Sequence, residues 1–300
     1  MRLLLLILFI SFTAIQAQSN KTNIRFAAKP EFNELVKAER LKSNDTETSQ
    51  KAFQMEGPAW ENELVGFRNY FDARNGIDIW GKRTPKLILD SVGMGKDYHT
   101  LDWWGMDILK VGNSLGAGAI ALAIGDSIYR IGADCKGSYR LISEGATQSS
   151  FELKFENWKV QDRNYTITHI ISISAGKRYY ESLVKIDGGM GDEKIISGIV
   201  NLHSKELLIN KSNESIYTAT HDKQAYNGEF LGMAIMLSLK YYSDTLTAPK
   251  KSSSITDTYM IKMNPDENRE VRFRFYSCWE IENSDFANKT KFLQFLDAEL

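Results

Sequence analysis

The feature that most constrains this chain is a two-residue alternation of apolar and polar side chains that returns from about Met55 onwards. Phe151, Leu153 and Phe155 interleave with Glu152, Lys154 and Glu156, and Tyr165, Ile167, His169, Ile171 and Ile173 oppose Thr166, Thr168, Ser172 and Ser174. Neighbouring side chains of an extended strand point to opposite faces, so such segments read as strands with one face on a core. Val271, Phe273 and Phe275 against Arg272, Arg274 and Tyr276 repeat the pattern near the end. Gly125-Asp126 divides Ile120 to Ile131 into a hairpin, with glycine at the position where a type II′ turn needs positive φ. Asn75-Gly76 is a second turn of hairpin type, with its register open: pairing across two residues would set Asp72 against Ile79, and a slip of one would flip every side chain. Helix signals are few. They comprise a short segment near Glu31 to Leu41 and a C-terminal one that Ser284 would cap, with Phe292, Phe295 and Leu296 on one stripe. Successive strands with only short helices imply an all-β fold, a large antiparallel β sandwich, not a parallel βαβ sheet.

Met1-Arg2 and the apolar run Leu3 to Phe12 have the charged start and short core of a secretory signal, too short to span a bilayer. Cleavage after Ala17 is expected, which would place the mature protein in the periplasm or outside the cell. Residues 1–17 are then the signal peptide, 18–54 a polar lead-in, and 55–300 a single β-sandwich domain. With 37 basic and 38 acidic residues the net charge is −1, which leaves no electrostatic footprint for nucleic acid or anionic lipid. No later stretch reaches the roughly 18 apolar residues of a membrane helix, so no membrane insertion is expected. Cys135 and Cys278 would pair in an oxidising compartment or remain as two half-buried thiols.

The glycine run Gly112 to Gly118 fits neither a P-loop nor a dinucleotide fingerprint, since Ala119, Ile120 and Ala121 follow it; a tight turn into the next strand explains it better. His99, His169, His203 and His221 lack metal-site spacing, and no G-x-S-x-G elbow exists. No cofactor is expected. Ca²⁺ bridging a uronate is compatible with the many Asp and Asn residues, although no ligand spacing identifies a site.

Chemistry concentrates in Tyr98 to Lys110, which holds His99, Asp102, Trp103, Trp104, Asp107 and Lys110. An imidazole, carboxylates, an ammonium and large rings suit a sugar site, because rings stack on a pyranose face while polar groups bond its hydroxyls. The competing reading is a loop whose tryptophans plug the core. Asn201 and His203 share one face of the predicted strand from Ile195, and His221 falls in a predicted loop where binding residues are common. His169, between Ile167 and Ile171, reads as a core histidine. Arg272, Arg274 and Tyr276 form a polar row leading to Trp279 and Glu280; it is either a carboxylate clamp or a solvated strand face, as is the early row Arg68, Tyr70 and Asp72.

Ala59-Trp60-Glu61-Asn62, Gly66-Phe67-Arg68 and Gly76 to Arg83 resemble the opening boxes of a secreted bacterial family, domain of unknown function 4861. His99, Gly105-Met106-Asp107, Lys110-Val111-Gly112, Leu115 to Gly118, Gly198-Ile199-Val200 and Trp279-Glu280 follow in the family's order. Gly57-Pro58 departs from the acidic pair common in that family. The resemblance implies a galactose-mutarotase-like β supersandwich encoded among genes for breakdown of uronate-containing polysaccharides such as pectins. Two functions are expected on that footing. In the first, the protein is a lyase or epimerase that abstracts a proton from an acidic oligosaccharide. His99 or His203 is the base or acid, Lys110 or Arg274 neutralises the carboxylate, and Asp107 orients the imidazole; His203 with Glu280 is the acid and base pair of an anomeric variant. Trp103 and Trp279 would stack on sugar, and Trp60, Glu61, Arg68, Asn201 and His221 complete the binding candidates. In the second, the same residues hold a glycan without chemistry.

Overall fold

The computed structural model describes residues 20–43, 45–95, 97–132, 134–251 and 254–300; the expected signal peptide lies outside them. The alternating segments form the longest strands. Gln148–Val160, Arg163–Ser174, Tyr179–Gly188 and Glu270–Trp279 pair antiparallel at the centre of a nine-stranded sheet. Its other strands are Leu208–Lys211, Ser215–Asp222 and Leu231–Ser238 on one side, and Lys136–Glu144 with the edge strand Lys37–Glu39 on the other.

The facing layer is split into two five-stranded sheets. The first runs in the order Thr22–Arg25, Ala59–Asn62, Gly66–Asn69, Ile77–Lys82, Gly105–Asp107. The second runs Ser127–Arg130, Ala117–Ile124, Lys194–Val200, Thr258–Met263, Tyr242–Thr247. A single parallel bridge between Ile77 and Gly116 joins them. The core lies between the layers, where Tyr180 of the large sheet meets Trp60 edge-on at 5.2 Å and Phe67 at 4.8 Å. Its hydroxyl donates to the carbonyl of Ala117 at 2.6 Å. Gly118 makes that approach feasible: φ is +90°, and a Cβ there would lie 2.4 Å from the Tyr180 hydroxyl. The glycine run is therefore a backbone fit between sheets. Phe151, Leu153, Ile167, Ile171, Phe273 and Phe275 are all buried on the inner face, each contributing roughly 1.5–3 kcal/mol of transfer free energy.

Several local expectations change. The hairpin at Gly125-Asp126 forms, with Ser127 opposite Ile124. The one at Asn75-Gly76 does not close over two residues: Arg68 pairs with Asp78 and Asn69 with Ile77, so residues 70–76 form a longer loop and Asp72 never faces Ile79. The segment expected to be helical near Glu31 to Leu41 is extended, its backbone groups satisfied by pairing of Lys37–Glu39 with Ser138 to Arg140. The helix lies later, at Thr46–Ala52, where the Asp45 side chain accepts from the Glu47 N–H. Residues before Met55 thus supply two strands to the sandwich. At the C-terminus Asn283 and Asn288, not Ser284, cap a 3₁₀ turn and the helix Lys289–Asp297. Phe292 and Leu296 bury against Tyr217, Ala234 and Cys278, covering one end of the large sheet's outer face. Cys135 and Cys278 are both buried and unbonded to each other. No described helix is long and apolar enough to cross a membrane.

Candidate functional site

In the first five-stranded sheet the strands Ala59–Asn62, Gly66–Asn69, Ile77–Lys82 and Gly105–Asp107 are buried on both faces. Trp60, Phe67, Ile79 and Met106 point to the core, while Glu61, Arg68, Asp78, Trp80, Lys82 and Asp107 occupy the outer face and are buried as well. Their cover is residues 84–95 and 97–104, whose Ile88, Leu89, Val92 and Trp104 pack with Met55, Ala59 and Trp80. Glu61 pins that cover: it accepts from the backbone N–H groups of Ile88 at 2.6 Å and Leu89 at 2.8 Å, and from Lys82 Nζ at 2.5 Å. Burial pushes the Glu61 carboxyl up and the Lys82 ammonium down, each partly opposed by the other. This pair holds the chain and has no access to a ligand.

Arg68 is the hub of the same face. Its guanidinium donates to Asp78 at 2.6 Å and to Asp107 at 3.0 Å, and stands 3.4 Å from Glu56. Tyr70 donates its hydroxyl to Asp78 at 2.6 Å, and the Arg68 guanidinium lies over the rings of Tyr70, Trp80 and Tyr98. Glu56 also receives Arg74 at 2.7 Å and the Tyr98 hydroxyl at 3.0 Å. The charges are unevenly compensated. Burial would raise Glu56, but Arg68 and Arg74 hold it below the usual carboxylate range. Asp107 goes the other way: burial and the charge of Asp78 push its carboxyl well up, so it retains a proton at pH values where an exposed carboxylate has lost it. Burial, against the pull of Arg68, raises the Tyr98 hydroxyl to about 12.

His99 stands on the cover above this acid. Its Nε2 lies 3.8 Å from the Asp107 carboxylate and its Nδ1 2.9 Å from Asp97, which also accepts the His99 backbone N–H at 3.0 Å. The 3.8 Å separation is too long for a hydrogen bond. The His99 side chain is 42% exposed, and it lies against the rings of Tyr98 at 4.7 Å and Tyr226 at 5.8 Å. A cleft of about 550 Å³ opens there, bounded by Lys29, Gln50, Glu56, Asp97, Tyr98 and His99. A neighbouring hollow shares Asp97 and Tyr98 and reaches Trp103, which is 52% exposed. The arrangement can move a proton: a reachable imidazole is held by one carboxylate and stands beside a second, buried carboxyl whose affinity for its proton is raised.

Of the residues singled out in the sequence, His99, Asp107, Arg68 and Tyr70 come together, Asp102, Trp103 and Trp104 line the adjoining hollow, and the others lie apart. Lys110 is exposed and does not line the cleft. The strand ends at Val200, so Asn201 and His203 share no face: Asn201 is buried and accepts from Lys250 at 3.1 Å, while His203 is exposed beyond it. His221 is not in an exposed loop; it is buried near the end of Ser215–Asp222, bonded to the Phe286 carbonyl at 2.7 Å between the rings of Phe230 and Phe292. It docks the C-terminal helix. Trp60 and Trp279 are core residues and offer no ring to a ligand, and Trp279 packs on Gly81. Glu61 is consumed by Lys82 and the cover. Glu280 accepts the Phe230 N–H at 2.9 Å, and Arg274 sits on the outer face of the large sheet beside Glu181 at 3.3 Å. His169 is a core histidine, bonded to Ser182 at 2.9 Å, and burial lowers it to about 3.

Sequence reasoning missed Glu56, Asp78, Asp97 and Tyr226. Asp78 was within reach, because antiparallel pairing across the 70–76 loop sets it opposite Arg68, and Asp97 stands two residues before His99; Glu56 and Tyr226 come in only through the tertiary fold. Among the described residues no group of three or more His, Cys, Asp or Glu is arranged to hold a metal ion.

A family model described as Domain of unknown function (DUF4861) matches residues 10–300. Among curated proteins, the uncharacterized protein P7 of Formosa agariphila is 25% identical over 262 residues, covering 79% of this chain and 62% of its own length. The chain therefore spans less than two thirds of the curated relative it matches.

Proposed function

The chain belongs to the DUF4861 family, and on that premise we propose that it acts on acidic, uronate-containing oligosaccharides of the pectin type outside the cytoplasm, by proton abstraction in the His99 cleft. The observation that carries this reading is the half-exposed His99 imidazole, 3.8 Å from the buried Asp107 carboxyl, held by Asp97 at 2.9 Å and lying 5.8 Å from the exposed Tyr226 ring, with exposed Trp103 in the adjoining hollow. In the lyase form, neutral His99 takes the hydrogen from the carbon beside the uronate carboxylate. The electron pair forms a C=C bond as the bond to the neighbouring glycosidic oxygen breaks, and that oxygen takes up a proton. In the epimerase form the same carbon is reprotonated from the opposite side. Arg68 has no part in contacting sugar, since three carboxyl groups already surround it. Lys29, on the rim of the same cleft, replaces Lys110 and Arg274 as the cation for the substrate carboxylate. Exposed rings supply stacking surface, and Asp97 fixes the imidazole.

A non-catalytic glycan-binding module is the second reading, favoured by the separation of His203, Glu280 and Arg274 from the cleft. A screen of the purified protein against pectic, alginate and ulvan-type oligosaccharides separates the two, with absorbance of a new C=C bond and NMR of the anomeric protons as readouts. The expected result is a product whose formation falls by about 10²–10⁴ in His99→Ala. Saturable binding with no product on any substrate would contradict proton abstraction and leave the binding module.

A further inference from the structure

A second cleft, of about 830 Å³, lies where the strand Ser127–Arg130 meets the turn that joins Gln148–Val160 to Arg163–Ser174. Arg130, Tyr129, Lys159, Gln161 and Arg74 line it, with Asp134 on its exposed rim. The turn is held to the strand by Gln161, whose Nε2 donates to the Tyr129 hydroxyl at 2.7 Å. Arg130 donates to three carbonyl oxygens, those of Arg74 at 2.6 Å, Asn113 at 2.8 Å and Ser114 at 3.0 Å, and its buried Nε has no acceptor. Among the described residues no carboxylate pairs with it. Burial lowers it to about 10 with no acid to offset the shift.

That is unusual in this molecule. Arg68 meets three carboxyl groups, Arg74 two and Lys82 one. Carbonyl oxygens satisfy guanidinium hydrogens but leave its net charge in place, and a low-dielectric surrounding makes that charge felt at longer range. Arg40 is buried at the same corner on the carbonyls of Asp72, Ile131 and Gly132 and on Cys135 Sγ at 3.2 Å, and the carboxylates of Asp72 and Asp134 offset part of its charge. The ammonium of Lys159 is exposed and, with Arg130, is the second cation of the cleft that has no carboxylate partner among the described residues.

We propose that this second cleft binds an oxyanion, the carboxylate or sulfate-ester group of an acidic saccharide, with Lys159 and Gln161 in contact and Arg130 supplying a fixed positive charge behind them. The site is separate from the His99 cleft and does not depend on its chemistry. The test is a ¹H–¹⁵N NMR titration of the whole mature chain, at constant ionic strength, with sodium sulfate and with sodium galacturonate, and sodium chloride as reference. Arg130→Gln risks loosening the loops its side chain holds, so Lys159→Ala is the diagnostic variant. Saturable shifts of the Arg130 Nε–H and Gln161 side-chain amide are expected with one anion or both at millimolar concentrations, weakened about tenfold in Lys159→Ala and unchanged in His99→Ala. The tighter of the two anions identifies the group. No saturable shift with either, or equal affinity in Lys159→Ala, would overturn the proposal.

Discussion

On the outer face of the first five-stranded sheet the Arg68 side chain is 1% exposed beneath residues 84–95 and 97–104, whereas on the outer face of the nine-stranded sheet that of Arg274 is 41% exposed beside Glu181. Both arginines stand on strands that alternate in the same way, with inward neighbours Phe67 on one and Phe273 and Phe275 on the other. The difference is the cover. Under it, a charge must be matched by partners placed to fractions of an ångström; without it, water screens the same charge and the partner matters little. The covered face is therefore where strict geometry is built, and His99 stands at its mouth.

The largest expected effect follows directly. Arg68→Met leaves Glu56, Asp78 and Asp107 buried around a missing cation and should cost about 3–5 kcal/mol in chemical denaturation. A loss below about 1 kcal/mol would mean that the covered face is no more demanding than the open one.

Next in size is a pH dependence that two buried groups impose with opposite sign. Folded His169 stays neutral down to about 3, while in the unfolded chain it takes a proton near 6.5, so it makes stability fall as pH drops below 6.5. Folded Asp107 holds its proton above the range in which the unfolded carboxyl loses it, about 4, so the stability it contributes falls as pH rises from there. Above about pH 4 the two slopes have opposite sign, and that of His169 reaches roughly 1.4 kcal/mol per pH unit below 6.5. Asp107→Asn, an isostere of the protonated acid, should expose the His169 slope, and His169→Gln the opposite one, in denaturation midpoints measured across that window. Identical slopes in both variants would show that these groups do not titrate as their burial implies.

The smallest effect is expected at Arg274→Ala, where the exposed Glu181 pair contributes at most about 1 kcal/mol. Thermal unfolding close to that of the unsubstituted chain checks it, and a large drop would place Arg274 among the structural ions.

The two faces also differ in how well they could be read from sequence. Strands such as Gln148–Val160 and Arg163–Ser174 bury alternate residues, so Phe151, Leu153, Ile167 and Ile171 announce both the strand and its inner face. In Ala59–Asn62, Gly66–Asn69 and Ile77–Lys82 every residue is buried, and the alternation of Phe67 with Arg68, or Ile79 with Asp78, no longer separates core from water. Glu61 and Arg68 consequently read as binding or solvated residues, although Glu61 only fastens the cover with Lys82. Trp279 read as a stacking ring and Trp60 as a binding residue because nothing local distinguishes a ring facing sugar from one facing Tyr180 or Gly81. His99, Trp103 and Asp107 were legible because they crowd into one short segment whose fold keeps them adjacent. Glu56 and Tyr226 were not, since the strand pairing and the cover bring them in from far along the chain.

The most direct test of this account is a map of where an acidic oligosaccharide touches the protein, from ¹H–¹⁵N shift perturbations on adding oligogalacturonate to the His99→Ala variant, in which turnover would be suppressed. Perturbations at Lys29, Glu56, Asp97, Tyr98, Trp103 and Tyr226 are predicted, with the Arg272 and Arg274 face unmoved. Perturbations concentrated on Arg272, Arg274 and Glu181, with the covered face silent, would contradict the placement of the functional site.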